Sequence, residues 1–106
     1  MSFVLFGYRG SEEVRFPLSP GEVSLGRSPQ ADLALPQDWT LASGLHFTLQ
    51  INPDGSLGVR DGVSGKPSSN GTQLNRRYLP SERWTALVPG DELQIGSQLQ
   101  DSVRLV

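Results

Sequence analysis

The sequence predicts an all-β fold, a sandwich or a barrel, from three observations. Six short runs alternate apolar and polar residues with the period of two that strands require: EVSLG, HFTLQI, SLGVR, GTQLN, DELQIG and SVRLV. Turn signals rich in glycine, proline and asparagine separate these runs. No stretch shows the apolar stripe of an amphipathic helix. Short strands between frequent turns are typical of an all-β domain.

The alternation assigns an inward face to each strand in turn. In HFTLQI, residues Phe47, Leu49 and Ile51 share one face, and His46 lies on the other. The same pattern turns the following residues of the remaining runs inward: Val23, Leu25, Leu57, Val59, Leu74, Leu93, Ile95, Val103 and Leu105. The predicted core contains Phe47, Leu49, Ile51, Leu74, Leu93 and Ile95.

Length and composition limit the classes of function. A chain of 106 residues is expected to form one domain. It has no cysteine and a single histidine, which argues against disulfides and against Cys- or His-rich metal sites. A net charge of -2 gives no bulk attraction to nucleic acid or to an anionic membrane. The first apolar run is too short for a signal peptide, so we expect a soluble cytoplasmic domain that needs no cofactor.

Polar residues gather at the ends of three predicted strands. The longest regions without strand character are 28–42 and 61–69, and loops of this kind meet at one end of a sandwich. Arg27 ends one strand, Ser43 precedes another, and Ser69-Asn70 opens a third. A guanidinium with hydroxyl and amide donors suits a phosphate dianion.

The stretch SSNGTQLN, residues 68–75, allows two interpretations. Asn70-Gly71 is a common two-residue turn signal, which explains the pair. The density of small hydroxyl and amide groups around it is what a site for a phosphate ester needs.

Four motifs in order resemble the forkhead-associated (FHA) domain: LGRSPQADLAL, SGLH, SSNGTQLN and LVPGDELQIG. The resemblance extends from about Gly21 to Gly96. It implies an eleven-stranded antiparallel two-sheet sandwich of the FHA and SMAD-like type, spanning residues 1–106. It also implies that loops at one end bind phosphothreonine peptides. Such domains usually serve larger signalling polypeptides in Ser/Thr kinase pathways.

The resemblance assigns roles to individual residues. Arg27 matches the arginine that contacts the phosphate, and Ser43 matches a serine that donates its hydroxyl to it. Ser69 takes a position that is usually Thr or Ser. Asn70 matches the amide that holds the peptide main chain, and Asn75 matches a second asparagine that supports binding from the next turn.

Other residues of the motifs are expected to shape the site. Gly26 and Gly71 are interpreted as structural, and His46 as a brace of the loop rather than a catalyst. Gly44 stands where the family often has Arg or Lys, which removes a contact. Lys66 lies in a loop longer than the family's short version and offers a second charge to the phosphate, or points to water.

The residues distinguish three classes of function. A phosphothreonine reader is favoured by the four motifs together. An assembly module of the same fold with weak or no phosphate dependence is favoured by Gly44. Nothing supports an enzyme, because no paired carboxylate, cysteine nucleophile or phosphate loop is present. Trp39 and Trp84 are interpreted as packing residues, with Trp39 as an alternative partner contact.

Overall fold

The computed structural model describes residues 3–9, 11–39, 42–63, 66–96 and 102–105. Within these residues the chain forms eleven strands and no helix. Their bounds are β1 Phe3–Arg9, β2 Glu12–Leu18, β3 Gly21–Gly26, β4 Leu33–Ala34, β5 Phe47–Ile51, β6 Leu57–Asp61, β7 Thr72–Leu74, β8 Arg77–Tyr78, β9 Thr85–Leu87, β10 Glu92–Ile95 and β11 Ser102–Leu105. In this part of the chain no helix is long and apolar enough to cross a membrane.

The strands form two sheets, as expected. The six-stranded sheet has the order β2-β1-β11-β10-β7-β8, and the five-stranded sheet has the order β4-β3-β5-β6-β9. The strand pairs are antiparallel, as expected, except that β3 and β4 pair in parallel. The Asp32 carboxylate accepts hydrogen bonds from the Ser24 amide and hydroxyl (2.9 and 3.3 Å). These bonds hold the returning chain against β3.

All six predicted runs coincide with strands, namely β3, β5, β6, β7, β10 and β11. The alternation did not reveal the other five. Strand β1 reads FVLFGYR, which is apolar on both faces and therefore lacks a period of two. Strand β2 contains Pro17, and a proline is tolerated there because β2 is an edge strand. β4 and β8 have two residues each, too few to show a pattern.

The core lies between the sheets. Five of the six residues that were predicted to belong to it are buried. Phe47, Leu49, Ile51, Leu93 and Ile95 are buried. The sixth, Leu74, is half-buried and packs against the same cluster. The apolar faces of β5 and β10 therefore hold the sandwich together by burial.

Trp39 is also part of this core, although it lies in a loop. Its side chain is fully buried, so the interpretation as a partner contact is wrong. A Cβ atom at Gly7 of β1 would lie 3.3 Å from the indole ring. The glycine thus leaves the space that the tryptophan fills, and the loop is anchored across β1.

We expect Leu49→Ala to lower the free energy of unfolding by about 2–5 kcal/mol, because it removes a buried side chain and leaves a cavity. The matched control is Val88→Ala, since Val88 is 58% exposed and its truncation should change stability by about 0.5 kcal/mol or less. Urea unfolding of both variants measures the difference. Equal losses in the two variants would contradict the assignment of Leu49 to the core.

Candidate functional site

Three chain segments meet at one end of the sandwich. They are Arg27 directly after β3, the turn that begins at Ser43, and the turn that contains Ser69. The Arg27 amide donates to the Ser43 carbonyl (3.1 Å), and the Ser28 amide donates to the Gly44 carbonyl (2.9 Å). The Ser69 amide donates to the Ser43 hydroxyl oxygen (2.9 Å). The structure therefore brings together the three strand ends that the sequence had singled out.

Gly26 allows this close approach. A Cβ atom at Gly26 would lie 2.0 Å from the Gly44 carbonyl oxygen and 2.9 Å from the Leu45 Cα atom. No side chain fits there, because the obstacle is backbone. Gly44 differs, because a Cβ atom at that position would meet only the Ser28 Cβ, at 3.6 Å. Gly26 is therefore structural, whereas Gly44 leaves open space at the surface.

His46 connects the two turns of the site. The side chain is fully buried. Its Nδ1 atom accepts a hydrogen bond from the Ser43 amide (2.9 Å), which places the proton on Nε2, and Nε2 donates to the Gly71 carbonyl (2.8 Å). Burial lowers the pKa of His46 below its ordinary value of 6.5, against the opposing effects of the Gly71 bond and of the negative charge on Asp61. The neutral imidazole thus acts as a brace.

Asp61 fixes the turn that carries Ser69. The buried carboxylate accepts hydrogen bonds from the hydroxyls of Ser68 (2.6 Å) and Thr72 (2.7 Å), and from the Ser68 amide (3.1 Å). The Ser68 hydroxyl oxygen in turn accepts from the Gly71 amide (2.9 Å). Hydrogen bonds to an ionised group are stronger than neutral ones. Asp61 is therefore a supporting residue of the site that the sequence did not indicate.

A cleft of ≈ 350 Å³ opens beside these turns. Its lining residues are Ser43, Leu45, Val63, Lys66, Pro67 and Ser69. The Ser43 hydroxyl oxygen accepts from the Ser69 amide, so its own hydrogen is left to donate elsewhere. Both serines and Lys66 line the cleft, and their contact with a phosphate stays a prediction. The apolar members Leu45, Val63 and Pro67 were not predicted.

Arg27 is not one of the residues that line the cleft, and its side chain braces a neighbouring loop. Its Nε donates to the Ala42 carbonyl (2.6 Å), and its Nη1 donates to the Gln37 carbonyl (3.3 Å). The Gln37 side-chain amide donates back to the Arg27 carbonyl. A guanidinium has five N–H donors, and these bonds use two of them. They hold the group in place next to Ser43.

The two asparagines lie at opposite ends of β7. Asn70 is exposed on the turn next to Ser69, and Gly71 completes that turn with a φ of 80°. A Cβ atom at Gly71 would lie 2.8 Å from the ring of the exposed Tyr78, which can move, so the positive φ is what favours glycine here. Asn75, with a φ of 48°, donates to the Asp91 carboxylate (3.0 Å) and accepts from the Glu92 amide (3.2 Å). It does not line the cleft, and its role in binding stays a prediction.

The described residues contain no group of three or more His, Cys, Asp or Glu side chains that would hold a metal ion. Arg76, Arg77 and Arg83 are exposed and do not line the cleft. The Arg60 guanidinium lies 4.6 Å from the centre of the half-buried Trp84 ring, a cation–π contact. Of the residues that line the cleft, Lys66 is the charged one.

We expect the His46 brace to make stability depend on pH. Because the pKa is lowered in the folded state, the neutral form contributes fully above about pH 6.5. This contribution is lost as the pH falls from 6.5 towards and through the lowered pKa, by at most about 1.4 kcal/mol per pH unit. Urea unfolding between pH 7.5 and 5 measures the slope.

The His46→Asn variant is the control for this slope, since it cannot titrate in the same range. As the chain has a single histidine, NMR of its imidazole reports the pKa of His46 without ambiguity. An imidazole in the folded protein that titrates at or above 6.5 would contradict the buried brace.

Comparison with known proteins agrees with this geometry. The sequence profile of the FHA domain matches residues 23–96. No curated protein matches the chain in sequence. Among solved structures, the Slr1951 protein from Synechocystis sp. is 25% identical with a TM-score of 0.79, over 97% of this chain and 95% of that one.

Two FHA domains of known structure share the fold. That of CT664 from Chlamydia trachomatis is 24% identical, with a TM-score of 0.81, over 100% of this chain and 97% of that one. The N-terminal FHA domain of Rad53p from S. cerevisiae, solved with a phosphothreonine peptide, is 24% identical with a TM-score of 0.76, over 100% of this chain and 91% of that one. With the matched profile covering most of the chain and all four motifs, the protein belongs to the FHA domain family.

Proposed function

We propose that the domain is a non-catalytic reader of phosphothreonine in proteins or peptides. The observation that carries the proposal is the Ser43 hydroxyl, which is fixed by the Ser69 amide and backed by His46 at the mouth of the cleft. The related domain of Rad53p was solved with a phosphothreonine peptide, which supports the same class of ligand here.

The chemistry of the ligand fits these donors. A phosphate monoester carries about -1.5 to -2 charge at pH 7 and offers three acceptor oxygens. Ser43 and Ser69 supply hydroxyl groups, while Arg27 and Lys66 supply positive charge beside or within the cleft. Asn70, next to Ser69 on the turn, is suited to hold the peptide main chain. The hydrogen bonds that fix Ser43 reduce the cost of ordering the site.

The biological setting is part of the proposal. We infer a partner that a Ser/Thr kinase phosphorylates and a role in signal transduction through protein–protein interaction. The cysteine-free composition is compatible with the reducing cytoplasm. The net charge of -2 does not favour nucleic acid or membrane as a partner. We further propose that the domain serves within a larger signalling polypeptide.

A second candidate is an assembly module with weak or no phosphate dependence. Gly44 favours it, because no cationic side chain follows the Ser43 position. The guanidinium of Arg27 also favours it, because two of its donors are used by the Ala42 and Gln37 carbonyls. The two candidates differ in a single measurable quantity, the change in affinity on removal of the phosphate.

Isothermal titration with matched phosphothreonine, phosphoserine and unmodified peptides tests the proposal. We expect binding only with phosphate, and a several-fold preference for phosphothreonine, since burial of one methyl contributes about 0.8 kcal/mol.

Arg27→Ala should weaken binding roughly 10- to 100-fold, as expected for loss of hydrogen bonds to a charged group. Arg83→Ala, at an exposed arginine outside the cleft, should leave affinity unchanged.

The stability of the Arg27→Ala variant is measured alongside, because the substitution also removes the bonds to Ala42 and Gln37. A folded variant that binds as tightly as the parent would show that Arg27 does not anchor the phosphate. The absence of any phosphate-dependent heat across a diverse phosphothreonine library would favour the assembly module.

We expect Gly44→Arg to raise the affinity for phosphothreonine peptides several-fold. The glycine does not have a positive φ, and a Cβ atom there meets only ordinary contact, so the backbone accepts a side chain. A cation beside Ser43 would add a charge-assisted hydrogen bond to the phosphate. The control is Ala86→Arg, which adds the same charge at an exposed position of β9. An equal gain in both variants would assign the effect to net charge.

A further inference from the structure

One edge of the six-stranded sheet is long and has no neighbouring strand within the described part of the chain. The edge strands of the two sheets are β2, β8, β4 and β9. Strands β4, β8 and β9 have two or three residues each, whereas β2 has seven. The outward N–H and C=O groups of a long edge are a template for a further strand, and proteins limit such pairing with very short edge strands. Strand β2 is therefore the edge at which another strand has room to pair.

The proline of β2 indicates which backbone groups point away from β1. Pro17 pairs with Val4 and has no N–H, so its nitrogen belongs on the side that faces away from the neighbouring strand. Residues that do and do not exchange hydrogen bonds alternate along an antiparallel strand. Glu13 and Arg15 therefore share the orientation of Pro17, and their N–H and C=O groups point to the open side of β2.

The side chains of Glu13 and Arg15 place opposite charges along this edge. They are exposed, at 43% and 70%. The Arg15 Nε donates to the Glu13 carboxylate (3.1 Å), and the guanidinium lies 5.2 Å from the centre of the Phe6 ring. An exposed ion pair of this kind contributes little to the stability of a single domain. Its contacts do hold the two charges in place, two residues apart on one face of the strand.

Charge and proline together select one antiparallel register for two β2 strands. Side chains keep their faces only when the register shifts by an even number of residues. With Val14 opposite its own copy, Glu13 lies opposite Arg15 in both directions. Registers centred on Glu13 or on Arg15 bring like charges together, which is destabilising. A register centred on Phe16 sets Pro17 opposite Arg15, where the ladder needs an N–H that proline lacks.

We propose that β2 pairs with β2 of a second copy of this chain, in the register centred on Val14, so that the two six-stranded sheets become one continuous sheet. Glu13 of one copy and Arg15 of the other then exchange backbone hydrogen bonds and pair their charges. Val14 and Phe16, which are half-buried and pack against the core, gain cover from the second copy. The inference goes beyond the proposed function, because no residue of β2 lines the cleft.

Charged residues and proline on an edge strand also serve to prevent pairing, which is the alternative interpretation of β2. Charges of a single sign would repel in every self-paired register. Glu13 and Arg15 have opposite signs on the same face, so one register attracts. In that register Pro17 faces Ser11, which precedes β2, and it interrupts no hydrogen bond of the paired segment. The pattern therefore favours one register over the others and does not block the edge.

Sedimentation equilibrium from about 1 µM to about 1 mM covers the range of a weak dimer, and we expect reversible dimerisation. Glu13→Arg and Arg15→Glu should each weaken it about tenfold or more, because each variant sets like charges opposite in both pairs. An equimolar mixture of the two variants should associate again, since every facing pair then has opposite signs. Glu82→Arg and Arg83→Glu are matched reversals at exposed positions between β8 and β9, away from β2. They should dimerise as the parent does.

Hydrogen exchange identifies the contact itself. Because the Glu13 and Arg15 amides point to the open side of β2, their exchange should slow about tenfold or more as the protein concentration rises through the dimerisation range. Urea unfolding of each variant checks that the fold is kept.

The outcomes are distinct from those of the phosphopeptide titration, which uses other residues. A domain that stays monomeric at about 1 mM would overturn the inference. A dimer that both charge reversals leave intact, or one in which the Glu13 and Arg15 amides exchange equally fast at low and high concentration, would assign the contact to another surface and also overturn it. Loss of association in the single variants without recovery in their mixture would reject the register centred on Val14, and the inference with it.

Discussion

The arrangement of the site depends on one buried group, the neutral imidazole of His46. It accepts from the Ser43 amide and donates to the Gly71 carbonyl, and so it joins the turn before β5 of one sheet to the turn before β7 of the other. A buried polar group without partners costs free energy. Folding therefore favours the arrangement in which both imidazole nitrogens keep these hydrogen bonds. The main chain of His46 also connects segments of the site. Its carbonyl accepts a hydrogen bond from the Gly62 amide, and its amide donates to the Leu25 carbonyl.

Close backbone approach makes this brace possible. Gly26 and Gly62 each face a carbonyl oxygen, and a Cβ atom there would lie only 2.0 Å or 1.9 Å from that oxygen. The carboxylate of Asp61 then fixes the second turn through Ser68 and Thr72. The two glycines, the His46 imidazole and the Asp61 carboxylate together hold the three loops in fixed positions at this end of the sandwich. This rigidity is why the Ser43 hydroxyl has a defined orientation before any ligand binds.

The parts of the fold and of the site that follow from local sequence patterns could be predicted, whereas the parts that depend on contacts between distant residues could not. Period-two alternation located the apolar core residues of β5 and β10. It did not show that Thr48 and Gln94, on the other face of these strands, are buried as well. The Asn70-Gly71 pair located a turn because of its φ preference. Asp61 gave no signal, since its partners Ser68 and Thr72 are ordinary polar residues that only the fold brings together. Trp39 was ambiguous because a loop position alone does not determine burial.

The motifs assigned several residues to peptide binding, and the structure places these residues in different surroundings. A motif records which residue types occur together, and it does not separate groups that contact a ligand from groups that hold the fold. Ser43 and Ser69 line the cleft, whereas the amide of Asn75 is engaged by Asp91 and Glu92 at the other end of β7. With a net charge of -2, the protein as a whole does not attract an anionic partner over long range. The proposed recognition of a phosphate relies on short-range donors in fixed positions, and the buried His46 maintains the positions of Ser43 and of the Gly71 turn.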